Sequence, residues 1–397
     1  MNHHELYTHF ENSTLFPFLS TGHVKENSTT NSIDDLLNSI GPWLWKTVSI
    51  VLLVFGLAGN LLTVLVFRKI GVSKRPTLFF LFILAITDSV VLLTGLLRYW
   101  ILHAFQFDIR TLSDIGCKIN IFLLYSSMQY SSWILVFVCI ERIIKTYFPL
   151  HFIRIVTFRR VSLSLIILFV VLVGINVQFL WTYGINTFTG GKCDSITPEI
   201  YAFHDYVFAN IDFAVLSAAP LLIMSVCNVF LFIALTRIKR ERAQMMHDIV
   251  FRRTQHVGVK LTKMLLVCTV YFLIATVPVS VYFVVYPYYK KIFDTENDPH
   301  GVIRMEVARA PTYLMQYSNY SVNFYLYSLT NSKFWRNLRE VVCGCHKGIK
   351  HQRNSVFTLK PQTPTPSAAV SARNVETEFS SGFETRASSS QIYSVIE

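Results

Sequence analysis

The sequence predicts an all-α membrane protein: a seven-transmembrane helix bundle followed by a short amphipathic helix on the inner leaflet. Its composition excludes a soluble protein, because 52% of the 397 residues are hydrophobic and only 15% are charged, whereas soluble domains carry about 25% charged residues. Apolar runs of about 20 residues recur along the chain, the length needed to cross a hydrocarbon core of roughly 30 Å. Lysine and arginine gather in alternate links between these runs, which is typical of the cytoplasmic side of a membrane protein.

Six of the apolar runs are free of charge, and the seventh contains a single carboxylate, Asp88. Nothing before Thr47 resembles a signal peptide, so the first run is expected to serve as its own insertion signal. Together with their flanks the runs define spans 1 to 7, which cover residues 43–69, 76–102, 114–147, 158–183, 205–237, 258–289 and 306–332.

Charge sets the expected orientation. The links after spans 1, 3 and 5 are basic, whereas residues 1–42 contain more acidic than basic side chains. The positive-inside rule therefore places residues 1–42 outside the cell and the C-terminus in the cytoplasm of a multi-pass plasma-membrane protein. Sequons at Asn12 and Asn27 predict glycosylation of this outer segment. The same topology accounts for the net charge of +12, so no nucleic-acid partner is expected.

The chain beyond span 7 predicts an amphipathic helix and a tail. In residues 333–345 aromatic and aliphatic side chains alternate with basic ones. Helical spacing puts Phe334, Leu338, Val341 and Val342 on one face, as in helices that lie on membrane lipids. Cys343 and Cys345 follow where palmitate would anchor the helix, the alternative being two free thiols. Residues 346–397 lack apolar periodicity and are predicted to be a disordered cytoplasmic tail with many phosphorylation sites.

Asp88 is the carboxylate in the middle of span 2, where charge is costly and therefore suggests function. Spans 3 and 7 offer Ser131, Asn319 and Asn323 as neighbours, and span 1 offers Asn60. A carboxylate among neutral oxygen groups suits sodium better than a transition metal. A regulatory sodium ion is therefore expected and no other cofactor; the alternative is a polar cluster that only packs the helices.

The two ends of span 3 carry distinct signals. Cys117 begins the span on the outer side and Arg142, preceded by Glu141, ends it about one membrane thickness later. Cys193 lies in the long link between spans 4 and 5. Both cysteines face an oxidising compartment, so a disulfide bond between them is expected.

These features occur in a characteristic order along the chain. They are Gly59-Asn60, Leu84-Ala85-Ile86-Thr87-Asp88, Cys117, Glu141-Arg142-Ile143, Pro220, Phe272, Pro278 and Asn323-Phe324-Tyr325-Leu326-Tyr327. The set resembles that of the rhodopsin-like (class A) G-protein-coupled receptors over roughly residues 43 to 345. The aromatic-rich spans and Pro149-Leu150-His151 look most similar to invertebrate neuropeptide receptors of the FMRFamide-receptor-like group.

The resemblance implies roles for several of these residues. Arg142 would hold the cytoplasmic ends of the spans closed and then contact the G protein, and Tyr327 would swing inward on activation. Asp88, Ser131, Asn319 and Asn323 would bind sodium. The coupling set implied by the resemblance is Glu141, Arg142, Phe272, Pro278, Asn323 and Tyr327.

Four positions depart from the family pattern. Thr276 stands where a tryptophan is usual, Asn228 replaces a tyrosine, and Phe324 replaces the span 7 proline. Gly258 stands where an acidic residue usually restrains the span 3 arginine, so this restraint is expected to rest on Glu141 alone. With Phe324, span 7 lacks an expected cause of a kink.

The outer ends of the spans indicate the class of ligand. Leu124 occupies the position of the aspartate that binds amines in related receptors, and span 7 has no lysine for retinal. A polar and aromatic set suits a peptide: Arg98, Tyr99, Tyr125, Gln129, Asp205, Asp212, Tyr313 and Gln316. Asp205 and Asp212 would take a basic group and Arg98 a carbonyl or carboxylate; alternatively Arg98 reaches the lipid headgroups and Asp205 faces water.

The sequence thus predicts a neuropeptide receptor that activates a heterotrimeric G protein and recruits arrestin through its phosphorylated tail. A receptor for a lipid or another small molecule is the alternative. A transporter or channel would show repeats or rings of charge, and the sequence shows neither. An enzyme would need paired carboxylates or metal-spaced histidines inside the spans, so no enzymatic activity is expected.

Overall fold

The computed structural model describes residues 28–72, 75–185, 190–244, 266–267, 269–286, 288, 299–330 and 332–342. The chain separates into two units, Met1–His346 and Lys347–Glu397, and every described residue belongs to the first. The predicted glycosylation sites Asn12 and Asn27, the cysteines Cys343 and Cys345, and the tail all lie outside the described residues.

Every predicted span contains a helix, which confirms the all-α membrane fold. Among the described residues, six helices are long and apolar enough to cross a membrane. The helix of span 7 is just as long, with 32 residues, but it is more polar. The helices run over Ser28–Ile70, Pro76–Phe105, Asp114–Tyr147, Phe158–Thr182, Thr269–Tyr286 and Pro299–Thr330, while span 5 begins at Pro198 and ends with Ala219–Gln244.

Several helices begin at residues that favour a helix start. Pro76 is the first residue of the span 2 helix, where proline lacks only a hydrogen bond that this position would not make. The hydroxyls of Ser113 and Thr157 accept backbone N–H groups at the first turns of spans 3 and 4, at 3.4 Å each. Such caps satisfy donors that the helix itself leaves free.

Several helices differ from their predicted bounds. The helix of span 1 begins at Ser28 instead of residue 43, and those of spans 5 and 7 begin at Pro198 and Pro299. The rule based on hydrocarbon thickness marks only the apolar part of a helix, whereas helical hydrogen bonds continue into the polar flanks. Tyr183, the last residue of predicted span 4, belongs to a strand instead.

This strand forms a short hairpin that the sequence did not predict. Strands β1 (Tyr183–Ile185) and β2 (Cys193–Ser195) pair in antiparallel fashion, with Ile185 opposite Cys193. Three residues are too few for the alternating pattern by which strands are predicted. The disulfide between Cys193 and Cys117 joins the hairpin to the first turn of span 3, with Cα atoms 5.6 Å apart, and confirms the expected bond.

Spans 2 and 5 contain π-helical segments. One covers Leu92–Leu96 in span 2, and two cover Phe203–Phe208 and Phe213–Ala218 in span 5. The α-helical turn Ala209–Asp212 lies between the latter two. Span 5 is therefore irregular on both sides of Asp212. π-helical turns are rare in proteins, and those that occur are often found at functional sites.

Spans 1 and 7 pack closely along Gly59 and Asn60. The Asn60 side chain donates from Nδ2 to the Tyr320 carbonyl at 3.1 Å. A Cβ atom added at Gly59 would lie 2.8 Å from the Cβ of Phe324. Gly59 therefore permits an approach of the two helices that no larger residue allows without a shift.

The predicted amphipathic helix is present at Ser332–Val342. Phe334 and Leu338 are buried, and the Phe334 ring lies 5.6 Å from that of Phe67 in span 1 and 6.2 Å from that of Tyr327 in span 7. Val342, which was expected on the same apolar face, is 64% exposed.

Candidate functional site

A cavity of about 210 Å³ lies among spans 3, 5, 6 and 7, at the end of the bundle that carries the hairpin. Its walls combine aromatic rings with a few charged and polar groups. Five of the eight residues predicted to bind a ligand line this cavity: Tyr125, Asp205, Asp212, Tyr313 and Gln316. The structure thus brings together residues that are as much as 191 positions apart in the sequence and that lie on three spans.

Gln129 lies behind the cavity wall and holds Asp212. Its Nε2 donates to Asp212 Oδ1 at 2.8 Å, and its Oε1 accepts from Asn176 Nδ2 at 2.7 Å. All three side chains are buried. This hydrogen-bond chain joins spans 4, 3 and 5 and orients the Asp212 carboxylate at the cavity.

Tyr99 also supports the cavity from outside its lining. Its ring stacks on Trp45 with centroids 4.4 Å apart and meets the cavity residue Tyr313 edge-on at 5.9 Å. The Arg98 guanidinium lies 4.8 Å above the same ring. Aromatic contacts thus connect spans 1, 2 and 7 at the hairpin end.

Arg98 does not line the cavity, and the carboxylate that it meets belongs to the chain itself. Arg98 donates to Asp108 Oδ2 at 2.9 Å and to Oδ1 at 3.3 Å. Arg110 donates to the same two oxygens at 2.8 and 3.1 Å. A guanidinium this deeply buried needs a fixed carboxylate, so the ion pair takes the place of both the ligand contact and the headgroup contact considered for Arg98.

The carboxylates of Asp108 and Asp194 have opposite pKa shifts. Burial raises the pKa of Asp108, but the hydrogen bonds from Arg110 and Arg98 outweigh it and hold the pKa well below its usual range. Burial raises the pKa of Asp194 on β2, against the hydrogen bond from the Ser195 N–H. Asp108 therefore stays ionised at pH values at which an ordinary aspartate takes up a proton.

Several residues of the cavity wall were not among those predicted from the sequence. Among them are Tyr183 on the hairpin, His204 on span 5, Ser280 and Tyr282 on span 6, and Arg309 on span 7. Arg309 lies 5.8 Å above the Tyr313 ring. Helical spacing offered a signal for Arg309, because it precedes Tyr313 by four residues and shares its helix face.

Asp88 lies at the centre of a buried polar cluster. Ser131 Oγ donates to Asp88 Oδ1 at 2.6 Å, and Asn323 Nδ2 donates to Oδ2 at 2.8 Å. Asn319 is buried one turn before Asn323, but within the described part of the chain no hydrogen bond joins it to Asp88. The Asn60 Oδ1 is buried without a partner among the described residues. The cluster therefore joins the span 2 carboxylate to neutral polar side chains on spans 3 and 7, a set of groups that suits a small hard cation.

Arg142 is held at the opposite end of span 3. Its guanidinium lies 3.1 Å from Glu141 Oε2, and Thr77 Oγ1 donates to Glu141 Oε1 at 2.5 Å. The side chains of Arg142 and Glu141 are only 1% and 2% exposed. In the part of the chain that the structure describes, no other carboxylate pairs with Arg142; Gly258 lies outside that part.

Three other residues of the expected coupling set, Phe272, Pro278 and Tyr327, lie on spans 6 and 7. Phe272 and Tyr327 are buried in the same apolar cluster, to which Phe324 also belongs. Pro278 lies within the span 6 helix. Asn228, which departs from the family pattern, accepts a hydrogen bond from Thr269 at 2.9 Å and so links spans 5 and 6.

Comparison with known proteins supports a receptor fold. The model of the family described as "7 transmembrane receptor (rhodopsin family)" matches residues 59–327. A stretch of 75 residues is 41% identical to "Rhodopsin, G0-coupled" of Mizuhopecten yessoensis. That stretch is 19% of this chain and 18% of the mollusc protein, so the likeness to this relative is local.

Proposed function

Since the chain belongs to the rhodopsin family of seven-transmembrane receptors, we propose that it binds an extracellular neuropeptide and activates a heterotrimeric G protein. Receptors of this family respond to an extracellular ligand, couple to G proteins and are not enzymes. The observation that carries the peptide proposal is the cavity, where the carboxylates of Asp205 and Asp212 on span 5 are combined with Arg309 on span 7 and with several aromatic rings.

The size of the cavity favours one end of a longer ligand. Pockets that enclose a whole drug-sized ligand have volumes of roughly 300–1,000 Å³, whereas this cavity measures about 210 Å³. One or two side chains of a peptide fill such a space while the rest lies above it. Asp212, oriented by Gln129, would take a basic group, and Arg309 would take a carbonyl in the role first expected for Arg98.

Retinal is not proposed as the ligand, although the matching mollusc protein is a rhodopsin. The helix Pro299–Thr330 contains no lysine with which retinal could form a Schiff base. Because that relative is described as G0-coupled, coupling to a G0-type G protein is the first to test.

Activation is proposed to release Arg142 from Glu141. A ligand acts by binding one arrangement of the helices more tightly than the other, which shifts their equilibrium. Movement of span 6 would then expose Arg142 to the G protein. Because no second carboxylate among the described residues pairs with Arg142, this restraint rests on one buried ion pair and its hydrogen bond from Thr77.

Asp88 is proposed to hold a regulatory sodium ion. Asp88, Ser131, Asn319 and Asn323 would surround it. The Asn60 Oδ1, which has no partner among the described residues, offers one more oxygen. The alternative remains a polar cluster that packs the helices.

We also propose that Asn12 and Asn27 are glycosylated and that Cys343 and Cys345 are palmitoylated. The phosphorylated tail of this plasma-membrane receptor is proposed to recruit arrestin. All of these residues lie outside the described part of the chain.

A ligand screen tests the proposed function. Cells that express the full chain are exposed to amidated and free-acid neuropeptides, and calcium and cyclic nucleotides are recorded together. Arg142→Ala serves as the control, since it should reach the cell surface yet abolish the response. Normal signalling by this variant would contradict the receptor mechanism, and activation by lipids but by no peptide would replace the proposed ligand with the alternative.

A further inference from the structure

The link between spans 2 and 3 exposes large apolar side chains. Phe105 is 65% exposed, Phe107 42% and Leu112 74%. Phe105 is the last residue of the span 2 helix, and Leu112 is the last residue of the 3₁₀ turn Ile109–Leu112. Single exposed apolar residues are common on proteins in water, whereas several close together mark a surface that contacts something apolar.

The charged side chains of the same stretch are buried instead. The charged residues of the stretch 97–112 are Arg98, Asp108 and Arg110. Their side chains are only 11–15% exposed, because both guanidinium groups pair with the one carboxylate. A link in water has the opposite arrangement, with its charges outside. Buried charge and exposed apolar groups are typical of a protein in lipid, where an exposed charge is costly and an exposed apolar side chain is not.

The exposed apolar surface continues into the helix of span 3. Ile115, Ile119 and Leu123 follow one another at intervals of four residues, which places them on one face of the helix. They are 68%, 45% and 38% exposed. The charges beside this face, Asp114 and Lys118, pair with each other at 2.5 Å. Since span 3 crosses the membrane, this face contacts lipid, and it begins in the first turn of the helix, directly after the link.

We propose that residues 105–112 lie in the lipid at the hairpin end of the bundle, where Phe105, Phe107 and Leu112 contact acyl chains. The bilayer surrounds the bundle, so an exposed side chain at the depth of Ile115 contacts lipid in whichever direction it points. Apolar length alone instead separated spans 2 and 3 at residues 103–113. The inference concerns lipid contact and depends neither on the proposed ligand nor on the G protein.

Fluorescence quenching measures this contact. The full-length receptor is placed in lipid nanodiscs with a bimane label on a cysteine introduced by Leu112→Cys or, in a second variant, by Phe105→Cys. The signal of the wild type, treated in the same way, is subtracted. Lipids that carry a nitroxide near the headgroup end of an acyl chain quench the label from the hydrocarbon, and iodide quenches it from water. Unlabelled Leu112→Cys should melt like the wild type, because the replaced side chain is mostly exposed.

Two further labelled sites serve as controls. Val170→Cys, in the middle of span 4, replaces a side chain that is 62% exposed and represents lipid. Glu199→Cys, in the exposed first turn of span 5, represents water. We expect the nitroxide lipids to quench labels at Leu112 and Phe105 about as strongly as the label at Val170. Iodide should quench them several-fold less than the label at Glu199.

Two results would overturn the proposal. Quenching of both labels by iodide as at Glu199, without an effect of the nitroxide lipids, would make the link an aqueous loop. Protection of both labels from both quenchers would mean that another part of the chain or a second copy covers the link.

Discussion

Replacing Asp108 by asparagine removes the one carboxylate that binds both Arg98 and Arg110. The side chains of the three residues are only 11–15% exposed, so water can stabilise the two guanidinium groups only partly. Breaking a buried ion pair by removing one partner costs about 3–5 kcal/mol. Because the asparagine carbonyl still accepts one hydrogen bond, we expect a loss near the lower limit, about 3 kcal/mol.

The melting temperature of the purified receptor measures this loss. The unfolding entropy of about 2.1 cal/mol/K per residue corresponds to about 1–2 °C per kcal/mol for the unit Met1–His346. Asp108→Asn should therefore lower the melting temperature by roughly 4 °C. A thiol-reactive dye reports unfolding, because the thiols of Cys139 and Cys227 are buried in the folded protein. Glu340→Gln is the matched control: Glu340 pairs with Lys69 at 3.3 Å, but these side chains are 39% and 32% exposed, and such exposed pairs contribute about 0–1 kcal/mol.

The pH dependence of the difference gives a second test. The pKa of Asp108 in the folded protein lies below its ordinary value of 3.8, so its contribution is fully present above that value and is lost as the pH falls below it. The difference between wild type and Asp108→Asn should therefore be the same at pH 7 and pH 5 and shrink only below about pH 4. If Asp108→Asn lowers the melting temperature no more than Glu340→Gln does, the ion pairs of Asp108 with Arg98 and Arg110 do not stabilise the protein as a buried group.

Three further substitutions test other parts of the molecule. Gly59→Ala should destabilise the contact of spans 1 and 7 by about 1–3 kcal/mol through overpacking. Gly174→Ala is the control, because a Cβ atom at Gly174 would meet open space. Equal melting temperatures of the two variants would contradict this prediction. Glu141→Gln should raise ligand-independent nucleotide exchange on the G protein several-fold, because Arg142 loses its ion pair; unchanged basal exchange would mean that another group restrains Arg142. Asp88→Asn should remove the effect of sodium on agonist affinity, and identical sodium dependence of variant and wild type would exclude the sodium site.

The positions that depart from the family pattern are accommodated by local contacts. Phe324, which replaces a proline, packs against the space left by Gly59. Asn228, which replaces a tyrosine, accepts from Thr269. A second hydrogen bond between the same spans joins Ser280 Oγ to Ser217 Oγ at 2.5 Å. Spans 5 and 6 are thus held together by neutral hydrogen bonds between residues that a family pattern would not have identified.

The linear pattern was sufficient for the membrane fold, the approximate spans, the amphipathic helix and the Cys117–Cys193 bond. Each of these depends on a property that accumulates over many neighbouring residues, such as apolar length, or on a chemistry with few possible partners. It was also enough to predict five residues of the cavity wall, because large polar and aromatic side chains near the ends of spans pack preferentially inside the bundle.

Only the packed structure decided which polar groups meet. Arg98 pairs with Asp108, Gln129 donates a hydrogen bond to Asp212, and His204 Nε2 forms a hydrogen bond with the hydroxyl of Thr182. These pairings depend on differences of about 1 Å between elements, since a hydrogen bond weakens steeply outside its narrow range of length and angle. Apolar burial tolerates such differences and can be read from composition and periodicity, whereas polar pairing cannot be known before the helices are in place.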